Sequence, residues 1–435
     1  MNSTHHLDRR QFIGTSARLG AGLLAAGGLA ACDDNGGQGA PPDSSGTTGA
    51  TTAPSTVPPT TTPSLSGRRL VVVQMNGGND ALNTLPPVAG RYRDLRPTLA
   101  VPEAEVMALR GVDDAGLHPA LGPLAPFWED GRMAVLRGIG FEDPNRSHFV
   151  SMDRWWRADD MSAPGWLGRV LDQLPEQAPL YATALGAGAP VLNGASRTAT
   201  VVTGASSFRW VGIQPQSIVA LAAAGDAGDA GDAGDAGDKG ALATQMRRAY
   251  GRTAQAVDEF AEVTGTSPDG DELPGREGTV SLADGLAVAA QLLASDVGTE
   301  LVVVSASGFD THSGQAGVHR TLLADFADGV AAFFAALDEA GLTDEVLLVS
   351  TSEFGRRAEE NASGGCDHGA GGLSFLFGNS VQGGMHGDWS LSDLLDGDLR
   401  PQIDPFVLFT ACLDWIGADA EQVLGRRGGS LQLLR

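Results

Sequence analysis

The chain has 435 residues, 42% of them hydrophobic and 19% charged, with a formal net charge of −24. Its length and apolar content suffice for one large core or two ordinary domains. The negative charge argues against nucleic acid or an anionic membrane surface as the main partner, because both would repel it. Lys239, inside a low-complexity run, is the only lysine, which leaves no Schiff-base or phosphate-cradling lysine, and 3 cysteines cannot build a disulfide scaffold.

In chain order, residues 1–31 read as an export signal. Arg9 and Arg10 precede Gln11, Phe12 and Ile13, and a weakly apolar stretch without charge runs from Leu19 to Ala31. That stretch falls short of the roughly 20 apolar residues a membrane-spanning helix needs, but it suits a signal h-region. Paired arginines followed by Phe at this spacing resemble a twin-arginine signal, so the twin-arginine translocase is the expected partner during export. Leu29-Ala30-Ala31-Cys32 matches a bacterial lipobox. Leu29 stands where an ordinary signal peptidase prefers a small residue, so the expected mature chain begins at a lipidated Cys32, its only membrane attachment. Residues 32–67 are rich in Gly, Ser, Thr and Pro and cannot bury enough surface to fold, so they read as a linker. The expected location is a membrane-anchored lipoprotein at the periplasm or cell surface.

From residue 68 onward the pattern is that of one folded domain. Leu70-Val71-Val72-Val73-Gln74-Met75 is a nearly continuous apolar run closed by Asn76-Gly77-Gly78-Asn79-Asp80. Such a run predicts a buried parallel strand with a functional loop at its carboxyl end. Further strands are predicted at 133–136, 300–305, 345–350 and 373–377. Between them, helices are predicted over Ala283 to Ser295 and over Val318 to Ala340, the second with Leu322, Phe326, Val330, Phe333, Phe334 and Leu337 on one face. Strands alternating with helices imply an α/β fold with a mostly parallel sheet covered on both faces. Residues 224–240 hold five tandem Ala-Gly-Asp triplets and read as a low-complexity surface insert. Gly265 to Gly278 reads as a surface loop.

Ligands of such sheets bind beyond the carboxyl ends of the strands, and that is where the polar residues collect. Asn79-Asp80 follows the first strand, and Ser147-His148 follows the strand near 135. Asp310-Thr311-His312 follows the strand at 301–305, Glu353-Phe354-Gly355-Arg356 follows that at 345–350, and Asp367-His368 precedes that at 373–377. Carboxylates and imidazoles converging on one sheet edge suit a divalent metal, Zn or Mn, one or two ions. Ser147, at an expected helix N-terminus, is the candidate nucleophile, and His148 is the alternative functional member of that pair. Arg356 and Arg146 are candidates to hold a phosphate or sulfate through paired donors. Each residue also has a bland reading: Asp80 or Ser147 as a helix cap, Glu353 paired with Arg356.

These motifs resemble the DUF1501 family of exported bacterial proteins. They are Val72 to Asp80, Asn145-Arg146-Ser147-His148-Phe149, Phe309-Asp310-Thr311-His312, Ser352-Glu353-Phe354-Gly355-Arg356 and Asp367-His368-Gly369. The resemblance covers about residues 68–435 and implies an alkaline phosphatase-like three-layer sandwich with a mostly parallel central sheet. It further implies a metal-dependent hydrolase of an anionic phosphate or sulfate ester. Asp80 and Glu353 would serve one metal, and Asp310, His312 and His368 the other, with Asp367 in either shell. Glu353-Phe354 stands where an Asp-His pair is usual, so one metal loses an imidazole, and Asp310-x-His312 is closer-spaced than the usual pair. A non-catalytic binding or scaffold protein that keeps the fold is the alternative. No Gly-x-Ser-x-Gly elbow supports a serine hydrolase.

Overall fold

The five apolar runs all become strands of one sheet with 8 members. A computed structural model describes residues 65–205, 207–211, 238–270 and 280–435 of the protein. The expected signal, Cys32 and almost all of the linker lie outside the described residues, as do most of the Ala-Gly-Asp triplets and residues 271–278 of the expected loop.

The sheet consists of β1 (Arg69–Asn76), β2 (Met133–Ile139), β3 (Ala182–Gly186), β4 (Thr200–Val202), β5 (Leu301–Ser307), β6 (Val346–Thr351), β7 (Gly372–Phe377) and β8 (Gly384–His386). Their order across it is β8-β2-β7-β6-β1-β5-β3-β4. Within this sheet β7 is antiparallel to β6 and β2, and the other ladders are parallel. The carboxyl ends of the parallel strands and the amino end of β7 therefore share one edge. β1 sits at the centre, with Leu70 opposite Leu301 of β5 and Leu347 of β6.

Alternation along β1 shows how the layers arise. Val71, Val73 and Met75 join one apolar cluster, and Leu70 and Val72 join a second on the opposite face. Helices follow as α1 (Ala81–Thr84), α2 (His148–Arg157), α3 (Trp166–Gln173), α4 (Asp238–Thr264), α5 (Leu282–Ala294), α6 (Gln315–Glu339) and α7 (Pro405–Ile416). The first cluster is closed by Phe260 of α4, Leu286 of α5 and Phe326, Phe333 and Leu337 of α6. The second is closed by Trp155 of α2, Leu167 of α3 and Phe409 of α7. The result is an α/β sandwich of three layers. Phe326 and Phe333 are almost wholly buried, and truncating either to alanine costs about 3–5 kcal/mol.

Local chemistry sets the ends of these helices. The Ser281 hydroxyl accepts from Asp284 N at 3.0 Å and starts α5. Asp404 caps α7, Pro405 fills its first position, and Gly417, at φ 80°, ends it. α6 begins at Gln315 rather than Val318, which extends its buried stripe to Gln315 and His319. The strands not foreseen, β3, β4 and β8, are short and built partly of Ala, Thr and Gly. No helix among the described residues is long and apolar enough to cross a membrane.

Candidate metal centre

The loops at the shared sheet edge meet because glycine lets them. Gly77 has φ 125°, and a Cβ there would lie 2.2 Å from Asp310 N; at Gly78, φ 80°, it would lie 2.4 Å from the Phe354 ring. The loop after β1 thus lies directly against those after β5 and β6. Arg356, 1% exposed, clamps them together. Its guanidinium donates to the carbonyls of Gly78 (2.8 Å), Cys366 (2.8 Å), Phe309 (3.0 Å) and Gly77, and to Asp310 Oδ1 at 2.7 Å.

Around Asp310 stand His148, His312 and His368. Asp310 Oδ1 lies 3.0 Å from His312 Nε2 and 3.1 Å from His368 Nε2, and those two nitrogens are 2.9 Å apart. His148 Nε2 lies 3.5 Å from Asp310 Oδ2. Donor atoms of His148, Asp310 and His368 all fall within 4.8 Å of one another. The Phe354 ring, centred 4.9 Å from His148 and 4.7 Å from His368, gives the cluster an apolar neighbour.

The tautomers follow from the other ring nitrogens. Nδ1 of His148 faces Glu353 Oε1 at 2.7 Å, Nδ1 of His312 faces Asp367 Oδ1 at 3.2 Å, and Nδ1 of His368 faces the Arg146 carbonyl at 2.7 Å. Carbonyls and carboxylates accept, so each Nδ1–H donates and each neutral ring is left with a lone pair on Nε2. Three such lone pairs then crowd one carboxylate. His148 Nε2 is buried without a hydrogen-bond partner among the described residues. The arrangement needs a positive charge at its centre. A proton can bridge one pair, and His148, Asp310 and His368 together are placed so that they could hold a metal ion. Ligand atoms of tetrahedral zinc sit roughly 3.3 Å apart, close to the spacing seen, and imidazole with carboxylate suits zinc or manganese.

The electrostatics are those of the metal-free cluster, in which imidazole protons face Asp310. Burial pushes the Asp310 carboxyl up, but hydrogen bonds from Arg356 and His368 and the charges of Arg356 and His312 outweigh it and hold it at about 2. The Glu353 hydrogen bond raises the His148 pKa against the opposing effect of burial. Asp367 is lowered by hydrogen bonds from Asn361 and His312.

Several residues stand elsewhere than the sequence suggested. Asp80, expected as a ligand, is 1% exposed and caps α1. Its oxygens take Arg96 Nη1 at 2.6 and 2.9 Å, Asn83 N at 3.2 Å and Gln315 Nε2, leaving it turned away from the histidines. Burial raises its pKa, yet Arg96, His319 and Gln315 together outweigh burial and the net shift is downward. Glu353, also expected as a ligand, stands behind His148 and is pinned by Gly77 N at 2.8 Å. Asp367 likewise supports His312 from outside. Arg356 is committed to carbonyls and Asp310, so it is not presented to an anion. Arg146 turns its guanidinium to Asp398 Oδ2, at 2.5 and 2.9 Å. Ser147 occupies the N-cap of α2 but makes no side-chain capping bond and is exposed. Cys366 is a free, buried cysteine.

Arg96, Gln315 and Asp398 carry no sequence signal for these roles. Each acts on a partner that only the folded topology brings near. His319, buried beside this network, shares a hydrogen bond of 2.9 Å with Asn79 Oδ1, and burial lowers its pKa to about 4. It therefore donates as a neutral ring.

No curated protein matches the chain. Among solved structures, it is similar to the lipoteichoic acid synthase LtaP from Listeria monocytogenes, at 10% identity over 81% of this chain and 72% of that one, with a TM-score of 0.33. It is also similar to a protein in the alkaline phosphatase superfamily from Vibrio parahaemolyticus, at 8% identity over 85% and 71%, TM-score 0.33. A sulfatase from Pseudoalteromonas sp. is similar at 11% identity over 81% and 68%, TM-score 0.35. The family described as protein of unknown function, DUF1501, matches residues 141–434, and the chain belongs to it.

Proposed function

We propose that the protein is an exported, lipid-anchored, alkaline phosphatase-like hydrolase that holds one divalent metal ion, zinc or manganese, and acts on a phosphate or sulfate ester. His148, Asp310, His312 and His368 are the proposed ligands. The observation that carries this reading is the convergence of three Nε2 lone pairs on Asp310, each fixed by an acceptor at Nδ1. Carboxylate or carbonyl backing of this kind orients metal-binding imidazoles and raises their basicity.

A divalent ion at such a site supplies Lewis acidity toward an ester oxygen. The chain supplies the rest. Glu353 and Asp367 hold His148 and His312 in one tautomer, and Arg356 holds Asp310 ionised. The first turn of α2 offers N–H groups and its dipole to an anion. Ser147 Oγ, exposed at that turn and free of capping duty, is the proposed nucleophile. Export by the twin-arginine route and anchoring through Cys32 complete the reading.

A second reading, a non-catalytic binding protein with the same fold, is favoured by the ion pair of Asp80 with Arg96 at 2.6 Å. That pair takes up a carboxylate a second metal would need. Elemental analysis of the full chain beside an Asp310→Ala/His368→Ala variant, followed by assay on p-nitrophenyl phosphate, bis(p-nitrophenyl) phosphate and p-nitrophenyl sulfate, separates the two. About one metal per chain, lost in the variant and accompanied by turnover, supports the hydrolase. Metal without turnover supports the binding protein, and no metal in either chain removes both metal readings.

A further inference from the structure

We propose that Asp398 is a positioning residue of the metal centre, holding His368 in its ligating tautomer through the Arg146 main chain; this rests on the metal reading above. Asp398 lies in a hairpin in which Leu394–Leu395 pairs with Asp398–Leu399. Its side chain is 0% exposed, while that of Arg146 is 42% exposed. Oδ2 takes Arg146 Nε at 2.9 Å and Nη2 at 2.5 Å. Oδ1 has no hydrogen-bond partner among the described residues, and Arg357 Nε stands 3.8 Å from it. A buried carboxylate with one oxygen unsatisfied is destabilising in itself, so its placement calls for a return elsewhere in the fold.

The return is geometric. The carbonyl of Arg146, held in place by the side chain bound to Asp398, accepts from His368 Nδ1 at 2.7 Å. An accepting group there forces the proton onto Nδ1 and leaves Nε2 bare toward Asp310 and His312. The same hairpin also reaches the segment that pairs with His368. Arg357 bridges Asp398 through the backbone, and Arg356 bridges His368 likewise. Arg357 N donates to the Asp367 carbonyl at 3.0 Å, and Ala358 N donates to the Gly397 carbonyl at 3.1 Å. The turn is tight: Asp396 and Gly397 have φ of 52° and 88°, and a Cβ at Gly397 would lie 2.3 Å from the Arg357 guanidinium. The hairpin thus meets Arg146, which carries the tautomer-setting acceptor, and the Arg357 segment that pairs with His368, although it holds no ligand itself.

Cobalt(II) titration of the full chain, read by its visible absorption, tests this with Asp398→Asn, Arg146→Lys, His368→Ala and the Asp398→Asn/His368→Ala pair. Losing a supporting partner of a metal ligand typically weakens metal binding 10–100-fold. Acting one step further out, Asp398→Asn is expected to weaken cobalt binding about 10-fold and to alter the absorption envelope. Arg146→Lys, which keeps the charge but loses the paired donors, is expected to fall between Asp398→Asn and the unaltered chain. In the His368→Ala background Asp398→Asn is expected to add nothing, because the imidazole it positions is gone. An equal loss in both backgrounds would mean general destabilisation and overturn the proposal, as would unchanged affinity in Asp398→Asn. If the unaltered chain binds no cobalt, the metal reading itself fails and this inference falls with it.

Discussion

Two aspartates stand at the same sheet edge, each beside an arginine, and their surroundings differ in one respect. Asp80 and Arg96 are buried at 1% and 0% exposure, and Asn83, Gln315, Asn79 and His319 complete a network whose charges balance internally. Asp310 has 47% of its side chain exposed, and the Nε2 atoms of three imidazoles face it. The first cluster has its cation built in as a guanidinium. The second has Arg356 on one side of the carboxylate and an excess of acceptors on the other. A closed network stabilises a fold, and an open one with surplus acceptors binds something positive. The difference shows why an aspartate after a strand is ambiguous until its neighbours are known.

Removing the built-in cation should have the largest effect. Arg96→Ala leaves the Asp80 carboxylate buried and unpaired and is expected to lower unfolding free energy by about 3–5 kcal/mol in urea denaturation. A loss below about 1 kcal/mol would mean that Asp80 is not held by this pair. Gly77→Ala comes next, at about 2–4 kcal/mol, because it combines a left-handed backbone with a Cβ pressed on Asp310 N. It should also weaken metal binding by displacing Asp310, and equilibrium dialysis with zinc would detect that.

Glu353→Gln should reverse the pattern. It retains an acceptor for Gly77 N but removes the charge behind His148. Zinc affinity is expected to fall about 10–100-fold, with the urea midpoint of the metal-free chain little changed. If stability fell and affinity held, Glu353 would belong with the closed network and the contrast between the clusters would be lost.

These contrasts also explain what was legible beforehand. β1, β5 and β6 announce themselves as unbroken runs of Val and Leu because both faces are buried. β3, β4 and β8 do not, since Ala-Thr-Ala-Leu-Gly, Thr-Val-Val and Gly-Met-His lack the length or bulk that marks a strand. That His148, Asp310, His312, Glu353 and His368 would gather was legible because strand-end loops in such a sheet must share an edge, whatever their separation in sequence. What could not be read was which polar residues neutralise each other. Arg96 reaches Asp80 from an irregular stretch, and Asp398 reaches Arg146 across 252 residues of chain. Patterns of apolar periodicity carry no information about either pairing.

The last expected effect concerns pH and separates the two clusters most cleanly. His319 belongs to the closed network, where burial lowers its pKa to about 4, against about 6.5 for an unperturbed imidazole. Between those values the unfolded chain binds a proton that the folded chain refuses, so stability falls as pH drops through that window. One such group contributes a slope of at most about 1.4 kcal/mol per pH unit. His118, also lowered to about 4 by burial, adds its own. His319→Gln can still donate to Asn79 Oδ1 but cannot titrate. Urea denaturation of its metal-free form at a series of pH values should therefore show a shallower acid slope than the unaltered chain. The stability added by zinc should follow a different rule. It should disappear as acid protonates His148, whose pKa lies above the usual imidazole value, and His319→Gln should leave that disappearance where it was. An unchanged slope in the metal-free variant would mean that His319 is not kept neutral by its burial. A shifted zinc transition would mean that the two clusters titrate as one and that the closed network is not closed.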